Sequence, residues 1–428
     1  MRVGEWRIPA RGAMEFQYDS DWTGSDEARP LSLSLPLTLD AEPHKGRPVE
    51  AYFDNLLPDS EPIRKRLQQK FRTDSTRAFE LLAAIGRDCV GAVQLLPPGE
   101  LPGRVRTIAA QPLSNSQVAA ELSRVLSPAA AKLDDGNFRI SIAGAQEKSA
   151  FLRHGGKWCR PVGPTPTTHI FKLPLGLVGN MRADMSSSVE NEWLCSRIFT
   201  AYQVPIASCS IERFGEYKVL VVERFDRVLH SSGKYWLRLV QEDMCQATAT
   251  PSHAKYEADG GPGILDIARI LQTSINREAD LVTLFKAQLL FWMLAATDGH
   301  AKNFSIRILQ GGRYQLTPLY DVLSAWPVIG NKANQIQLKK ARLAMAVHSK
   351  NTHYKINDIQ RRHFYGLAVQ MGIGASASAI IDEIIAATPE VIERVDAELP
   401  SAFPALVSDS IFKGLDRAAK QLAAMPVE

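Results

Sequence analysis

The sequence is poor in cysteine, in long apolar runs and in net charge. Its five cysteines among 428 residues are scattered without a C-x-x-C pair, so neither a disulfide framework nor a structural zinc site is expected, and the reducing cytoplasm fits best. The most apolar run, residues 287–296, is about half of the roughly 20 residues that a membrane span needs, and the first residues contain no apolar signal segment. A net charge of +4 excludes a histone-like polycation. We expect a cytoplasmic protein without a membrane partner.

Several common catalytic signatures are also absent from the sequence. It contains no G-x-x-x-x-G-K-[ST] loop, no G-x-G-x-x-G fingerprint, no H-E-x-x-H pair and no cluster of cysteine and histidine. The G-x-S-x-G turn on which α/β-hydrolases carry their serine is absent too. Function must therefore be sought in scattered residues whose order along the chain carries the information.

Strand and helix patterns divide the chain into three segments. Residues 1–110 form a β-leaning subdomain, residues 111–226 are mainly strands with an inserted helix, and residues 227–428 are helical. Strands followed by helices indicate an α+β fold rather than alternating βαβ units. We therefore predict two lobes, a β-rich N-terminal lobe and an all-helical C-terminal lobe.

The residue patterns also predict individual elements within these segments. LSLSLPLTLD (31–40) alternates leucine and serine and predicts a strand, which its internal proline places at a sheet edge. Helices are predicted over 60–82, where the pattern ends at Gly86, over 114–127 and over 187–202. Short strands are predicted for FRISI, KSAFL, KWCRPV, THIFKL and YKVLVVERF.

The strongest candidate for chemistry is the loop TDGHAKN (297–303), which follows an apolar helix over 281–296. Asp298 and Asn303 are five residues apart, the spacing of the aspartate and asparagine in a protein-kinase catalytic loop. A carboxylate in that place orients the attacking hydroxyl and accepts its proton, and an amide oxygen on the same loop holds a magnesium ion. The alternative interpretation is an ordinary polar turn, because Asp-Gly is frequent in turns.

A second acid follows at Tyr320-Asp321, eighteen residues after Asn303 and beyond two strand-like segments, FSIRIL and RYQLTPLY. Kinases deliver their other magnesium ligand in this way, and the oxygen ligands of Asn303 and Asp321 suit Mg²⁺. The alternative interpretation is that Asp321 caps a following helix. In combination with Asp298, the metal site is the better interpretation.

Lys172, in the apolar strand HIFKL, needs an explanation, because burying an unpaired ammonium group costs several kcal/mol. A phosphate could be its partner, and so could Glu190 or Glu192 on the next helix. The alternative is a lysine on an edge strand with its ammonium group in water.

Two further segments complete the pattern. Residues 139–149, RISIAGAQEKS, predict two strands joined by a turn of small residues that lets backbone N–H groups approach phosphates, although a plain hairpin explains them as well. Residues 221–226, VVERFD, end a strand where helices begin, and a linker there could present backbone groups to an adenine. The order of all these elements is that of a two-lobed kinase.

Seven segments of the sequence resemble the HipA family of serine/threonine kinase toxins, and the resemblance runs from about Phe53 to at least Ile356. QEDMCQ followed by KYEADGGPG is highly specific and suggests a member close to the family prototype. The segments are RISIAGAQEKSAF, THIFKLP, SVENEW, VVERFDR, RLVQEDMCQATATPSHAKYEADGGPGI, TDGHAKNFS and LTPLYDVLSAWP. The resemblance implies a protein-kinase-like fold of the phosphatidylinositol-kinase-like variant, which accounts for the absence of HRD and DFG motifs.

The resemblance also implies roles for residues. Asp298 would be the catalytic base, Asn303 and Asp321 would bind Mg²⁺, and Ser141 would be autophosphorylated as an off switch. The implied ATP-binding residues are Ala143, Gly144, Ala145, Gln146, Glu147, Lys148, Lys172, Glu223, Arg224, Phe225, His300, Ala301, Lys302, Asn303, Tyr320 and Asp321.

The partners that the resemblance implies are glutamyl-tRNA synthetase as protein substrate, with growth arrest and persistence as the outcome, and a helix-turn-helix antitoxin, HipB, that binds operator DNA. Two other classes stay open: a small-molecule phosphotransferase, and a corepressor on DNA without catalysis. The acceptor of phosphate from ATP distinguishes these classes.

A basic patch lies between residues 338 and 363. This segment contains seven lysines and arginines, among them Lys339, Lys340 and Arg342, and a single acid, Asp358, which gives an excess of six positive charges. The patch predicts phosphate contacts that supplement the antitoxin's reading of bases. A solvated protein surface is the alternative.

Overall fold

A computed structural model describes residues 1–38, 42–126, 146–179 and 182–426. The chain forms two compact units that interleave along the sequence. The first unit comprises residues 1–173, 212–254 and 305–314, and the second comprises residues 174–211, 255–304 and 315–428. The segments predicted at 1–110, 111–226 and 227–428 follow sequence order and stay predictions.

The strands and helices of the described residues have the following bounds. The strands are β1 Gly4–Arg7, β2 Glu15–Tyr18, β3 His44–Lys45, β4 Ala110–Pro112, β5 Lys148–His154, β6 Lys157–Pro161, β7 His169–Lys172, β8 Gly176–Val178, β9 Ala183–Met185, β10 Cys209–Phe214, β11 Tyr217–Glu223, β12 Arg227–Leu229, β13 Trp236–Arg238, β14 Gln241–Asp243, β15 Ser305–Ile308, β16 Tyr314–Leu316, β17 Arg342–His348 and β18 Thr352–Lys355. The helices are α1 Ser20–Thr23, α2 Arg47–Asp54, α3 Glu61–Phe71, α4 Ala78–Ile85, α5 Asn115–Leu126, α6 Ser188–Ala201, α7 Met244–Ala247, α8 Ile264–Leu271, α9 Arg277–Met293, α10 Arg361–Gln370, α11 Ala377–Ala397 and α12 Ala405–Ala424.

The first unit contains a six-stranded sheet in the order β10-β11-β7-β5-β6-β4. Its strands are rich in aromatic and β-branched residues, which fit a pleated surface packed on one face. Phe171 of β7 lies at the centre of that face. Its ring centroid is 4.8 Å from that of Phe151 and 4.8 Å from that of Trp158. Helix α5 covers this core with Val118 and Leu122. The predicted strands and the helix over 114–127 are confirmed here, except for FRISI, which lies outside the described residues.

The N-terminal part of the first unit has its own core beneath the sheet β1-β2-β3. Trp6 stacks on Phe53 of α2 with ring centroids 3.9 Å apart, and α4 closes the core. Two helices, α3 and α4, occupy the segment predicted as helical over 60–82, and Gly86 caps α4 as predicted.

The edge strand predicted over 31–40 is wrong. Residues 33 and 34 form a turn that brings Ser32 and Leu35 into a single β-bridge, and Ser34 N donates to Ser32 Oγ at 3.0 Å. Leu31 and Leu35 are both buried. A serine that bonds to nearby backbone competes with a strand ladder, and the alternating leucines anchor a turn instead of a sheet face.

The second unit is built mainly from helices, and the predicted helix over 187–202 is confirmed as α6. The apolar helix α9 is buried along most of its length. In the described residues, none of the helices is both long enough and apolar enough to cross a membrane.

The prediction that residues 227–428 are all-helical is wrong in detail. They contain several short strands, and β17 pairs with β18 in an antiparallel hairpin. Residues 343–347 of β17 are all buried. A short continuous apolar run of this kind cannot be assigned to a buried strand or a buried helix from periodicity alone.

Candidate active site

The loop that follows α9 is fixed at its base by hydrogen bonds to the carbonyls of the two residues directly after the helix. Ser324 Oγ donates to the Leu294 carbonyl at 2.6 Å, and Ala325 N donates to the Ala295 carbonyl at 3.1 Å. Asn191 of α6 holds Ser324 in turn, because its Nδ2 donates to the Ser324 carbonyl at 2.7 Å and its Oδ1 accepts from Ser324 N at 2.8 Å. These bonds satisfy carbonyls that a helix end leaves unpaired. The loop therefore starts from a well-anchored point.

The loop itself, residues 297–304, is tight. His300 N donates to the Asp298 carbonyl at 2.9 Å. Gly299 lies between them, and a Cβ at this position would be 2.5 Å from the ring carbon Cε2 of Phe291 on α9. The glycine therefore lets the loop lie directly on the helix, which fixes the position of Asp298.

Asp298 carries the exposed side chain of this loop. The side chain is 60% exposed, whereas those of His300, Lys302 and Asn303 are buried. Asp298 Oδ1 accepts a hydrogen bond from Tyr256 Oη at 2.5 Å, and His300 Nε2 lies 3.9 Å from the same oxygen. A carboxylate that is held through one oxygen and is open to solvent has the arrangement that a general base needs.

Asn303 and Asp321 are brought together by a hydrogen bond. Asn303 Nδ2 donates to the Asp321 carbonyl at 2.9 Å, which leaves the Asn303 amide oxygen as the group that can ligate a cation. Tyr320 Oη donates to the Lys302 carbonyl at 2.8 Å, so the two segments are joined twice. Asp321 does not cap a helix, because the 3₁₀ turn after it has Ala325 as its N-cap. An amide oxygen and a carboxylate form a donor set that fits Mg²⁺ beside phosphate.

Lys172 and Lys148 are opposite each other in the first unit. They are directly paired residues on the antiparallel strands β7 and β5, so their side chains are on the same face of the sheet. Lys172 is only 5% exposed, and β7 lies between β11 and β5. The alternative of an edge-strand lysine with its head in water is therefore wrong. The pairing therefore brings two positive charges to one face of the sheet.

The described part of the predicted phosphate loop is held by side-chain contacts. Gln146 Nε2 donates to the Leu173 carbonyl, and Glu147 forms an ion pair with Arg66 of α3. Ser141 and Ala143–Ala145, including Gly144, lie outside the described residues. Their roles stay predictions.

The predicted linker, Glu223–Phe225, begins at the end of β11. Glu223 is exposed and Phe225 is half-buried, while Arg224 is buried and its N–H donates to the Thr168 carbonyl at 2.9 Å. The Arg224 guanidinium donates two hydrogen bonds to Asp226, at 2.9 and 2.7 Å. The Arg224 side chain is therefore committed to structure.

Arg224 and Asp226 belong to a buried ion network that sequence reasoning did not predict. Asp88, near the end of the N-terminal part, accepts from Arg227 at 3.1 Å and from Arg238 at 3.3 Å. The guanidinium groups of Arg227 and Arg224 hold the pKa of Asp88 and that of Asp226 below the usual range in spite of burial. Burial lowers the pKa of Arg227 to about 10. The network ties the N-terminal part of the first unit to the linker.

The basic patch, residues 338–363, contains both exposed cations and at least one that is buried in an ion pair. Lys339, Lys340 and Arg342 are exposed, and Arg342 lies directly opposite Lys355 in the β17–β18 hairpin. Arg361 is buried and pairs with Asp382 at 2.6 Å.

Sequence reasoning missed two residues that contact the site. Tyr256 lies in KYEADGGPG, whose tyrosine beside a glycine-rich turn was the available signal. Asn191 lies in SVENEW, where a buried asparagine amid apolar residues gave no signal of its distant partner. The predicted pairing of Lys172 with Glu190 or Glu192 stays a prediction, although both glutamates are buried on α6.

Comparison with known proteins places the chain among kinases. It is 32% identical over 352 residues to the putative kinase Y4mE of Sinorhizobium fredii, with 80% of each chain covered. It is 28% identical over 419 residues to the serine/threonine-protein kinase toxin HipA of Shewanella oneidensis, which covers 94% of this chain and 88% of that protein.

The fold has a counterpart among solved structures. The match is to the Shewanella oneidensis MR-1 complex of HipA, HipB and operator DNA, with a TM-score of 0.78, 23% sequence identity and coverage of 98% of this chain and 95% of the other. The HipA N-terminal domain model matches residues 1–96, and the HipA-like C-terminal domain model matches residues 140–392. The chain therefore has the two-lobed, kinase-like α+β fold and belongs to the HipA family of serine/threonine-protein kinase toxins.

Proposed function

We propose that this kinase transfers the γ-phosphoryl group of ATP to a hydroxyl of a protein, with Asp298 as the general base. The observation that carries the proposal is an accessible carboxylate on a buried, anchored loop, five residues before an asparagine that is hydrogen-bonded to the segment of Asp321. Asp298 accepts the proton of the attacking hydroxyl while the loop holds the carboxylate in place. Positioning of this kind contributes roughly 10²–10⁴-fold to the rate.

Mg²⁺ and the phosphates of ATP have residues that suit them. The Asn303 amide oxygen and the Asp321 carboxylate hold the metal, which when bound supplies positive charge next to the transferred phosphoryl group. Lys148 and Lys172, paired on neighbouring strands of the sheet, supply two positive charges for the phosphates. Glu223–Phe225 lie on the adenine side, where Arg224 has a structural part, because its side chain is engaged in the ion network and its N–H donates to the Thr168 carbonyl.

The protein acceptor that we propose is glutamyl-tRNA synthetase in the cytoplasm, by family resemblance, with growth arrest and persistence as the outcome. The test is transfer of label from γ-labelled ATP in cell lysate and onto purified synthetase. Asp298→Asn should abolish labelling, whereas Asp409→Asn is a matched control, because the Asp409 side chain is 61% exposed on α12. Label on a metabolite rather than on protein would favour a small-molecule phosphotransferase. ATP binding without any labelled acceptor would favour a corepressor without catalysis.

Autophosphorylation at Ser141 is proposed as the off switch. A phosphoryl group adds about −1.5 to −2 charges next to the predicted phosphate loop and repels ATP. Mass spectrometry of wild type and Asp298→Asn should find phosphate on Ser141 of the wild type alone. Phosphate at Ser141 in both proteins, or in neither, contradicts autophosphorylation.

The third part of the proposal is a corepressor role with a HipB-like antitoxin on operator DNA. The exposed Lys339, Lys340 and Arg342 supply phosphate contacts, and the opposition of Arg342 and Lys355 favours a bound anion. Each phosphate contact that is lost flattens the slope of log K against log[salt] by about 0.9.

The salt dependence of operator binding by the complex with antitoxin tests this role. Changing Lys339, Lys340 and Arg342 together to alanine should flatten the slope. The matched control changes Arg394, Lys413 and Lys420, three exposed cations on α11 and α12. Equal slopes for both triple variants would assign the patch to solvated surface.

A further inference from the structure

The segment KYEADGGPG, residues 255–263, is distinctive in the sequence and has no role in the chemistry described so far. Its tyrosine lies next to the proposed base, because Tyr256 Oη donates to Asp298 Oδ1 at 2.5 Å. This is a charge-assisted hydrogen bond if the carboxylate is ionised, and such bonds are both shorter and stronger than neutral ones.

The Tyr256 side chain is held in position by its surroundings within the second unit. Its ring meets the ring of His300 edge to face, with centroids 5.1 Å apart and an interplanar angle of 81°. The Tyr256 carbonyl accepts hydrogen bonds from Asp259 N at 3.0 Å and from Gly261 N at 2.9 Å. The backbone beneath the phenol is therefore a closed turn rather than an extended chain.

The next residue, Glu257, anchors this turn to the hairpin. Its Oε2 accepts from Ala346 N of β17 at 2.6 Å, and its Oε1 is 2.6 Å from His348 Nε2. The Glu257 side chain is 14% exposed. A Cβ at Gly263 would be 2.5 Å from the Glu257 carboxyl carbon, so this glycine of the segment provides the space that the anchored carboxylate fills.

We propose that Tyr256 is a positioning residue for Asp298 and that Glu257 is the anchor that fixes Tyr256. This inference rests on the proposed function, in which Asp298 is the base. A side chain that is 60% exposed has rotamer freedom, and the phenol restricts it by binding Oδ1. Oδ2 is then directed toward the acceptor hydroxyl and receives its proton. The distinctive segment thus has a role in catalysis without contact with the reacting atoms.

Kinetics of Tyr256→Phe test this inference, because the change removes one hydroxyl and keeps the ring. The assay is steady-state transfer from ATP to glutamyl-tRNA synthetase, or to whichever lysate protein the wild type labels. We expect kcat to fall about tenfold or more, with the KM for ATP within about twofold and the melting temperature unchanged. Glu257→Ala should lower kcat in the same direction.

Tyr365→Phe is the matched control, since the Tyr365 hydroxyl bonds to Arg361 and Ser378 in the second unit rather than to Asp298. It should behave as wild type. Wild-type kcat in Tyr256→Phe, together with an inactive Asp298→Asn, overturns the inference and leaves the proposed function standing. Wild-type kcat in Glu257→Ala overturns the anchoring role. Full activity in Asp298→Asn overturns the proposed function and this inference together.

Discussion

Glu242 gives the first unit a stability that depends on pH near neutrality. Its carboxyl is fully buried in β14, where one oxygen accepts from Leu33 N at 2.8 Å and the other, Oε2, has no hydrogen-bond partner among the described residues. Burial raises the pKa of Glu242 from 4.5 to about 8. The folded protein therefore keeps a proton between pH 4.5 and 8 that the unfolded chain releases. The free energy of unfolding falls as the pH rises through this window.

The expected change in the free energy of unfolding follows from the pKa values of Glu242 in the unfolded and folded states. One unit of pKa corresponds to 1.36 kcal/mol, so the contribution of Glu242 falls by about 3 kcal/mol between pH 5.5 and pH 8. Glu242→Gln removes this titration and retains an oxygen for Leu33 N. Between pH 5.5 and pH 8, we expect the free energy of unfolding of the variant to rise by about 3 kcal/mol relative to that of wild type. Each kcal/mol corresponds to a shift in melting temperature of ~2–4 °C.

The assay is thermal or urea unfolding of both proteins at half-unit steps from pH 5.5 to 8.5. Glu27→Gln is the control, because Glu27 is 71% exposed beside Arg29 in the same unit. The stability of Glu27→Gln should change with pH in the same way as that of wild type. If Glu242→Gln also parallels wild type across the whole range, the argument from burial is refuted.

Four further outcomes are expected. Asp88→Asn leaves buried guanidinium groups short of a counter-charge and should lower the free energy of unfolding by about 3–5 kcal/mol in urea titration; a change below 1 kcal/mol would contradict a structural role for the network. Gly299→Ala places a Cβ against the Phe291 ring and should cost about 1–3 kcal/mol of stability with a fall in kcat, and wild-type kinetics would contradict the close approach. Lys148→Met should raise the KM for ATP, because it removes one of the two positive charges that we propose hold the phosphates; an unchanged KM would separate Lys148 from the nucleotide site. Chelation of divalent cations should abolish transfer, and restoration by Mg²⁺ should recover it.

The strands and helices, and the loop 297–303 after α9, could be predicted from the sequence where the residue pattern and the local chemistry agree. The strand of Lys172, predicted from its apolar residues, is confirmed as β7, whereas the roles of Asp298 and Asn303, predicted from the spacing of a kinase catalytic loop, stay predictions. The hairpin of β17 was missed because a short buried apolar run can be a strand or a helix. The turn at Ser32 was missed because a serine side chain that bonds to nearby backbone competes with a strand ladder. Periodicity is therefore weakest where burial is most complete.

Partners distant in sequence could not be predicted from local pattern. Asp88 and Arg227 are 139 residues apart, and Tyr256 is 42 residues from Asp298. Each is an ordinary polar residue beside its neighbours in the sequence, and only the three-dimensional fold gives it a partner. The family resemblance singled out the segment KYEADGGPG, which contains Tyr256, but implied no function for that tyrosine.

The interleaving of the two units has a consequence for synthesis on the ribosome. The first unit needs β15, since Gln241, Glu242 and Asp243 of β14 pair with Arg307, Ile306 and Ser305. At about 5–20 residues per second, several seconds or more separate the emergence of β14 from that of its partner strand. During that interval the Glu242 strand is an unpaired edge, and the nascent chain does not yet contain Asp321. Folding of the first unit can therefore be completed only late in translation, and a chain that ends before residue 305 lacks both the partner strand of β14 and the proposed metal ligand Asp321.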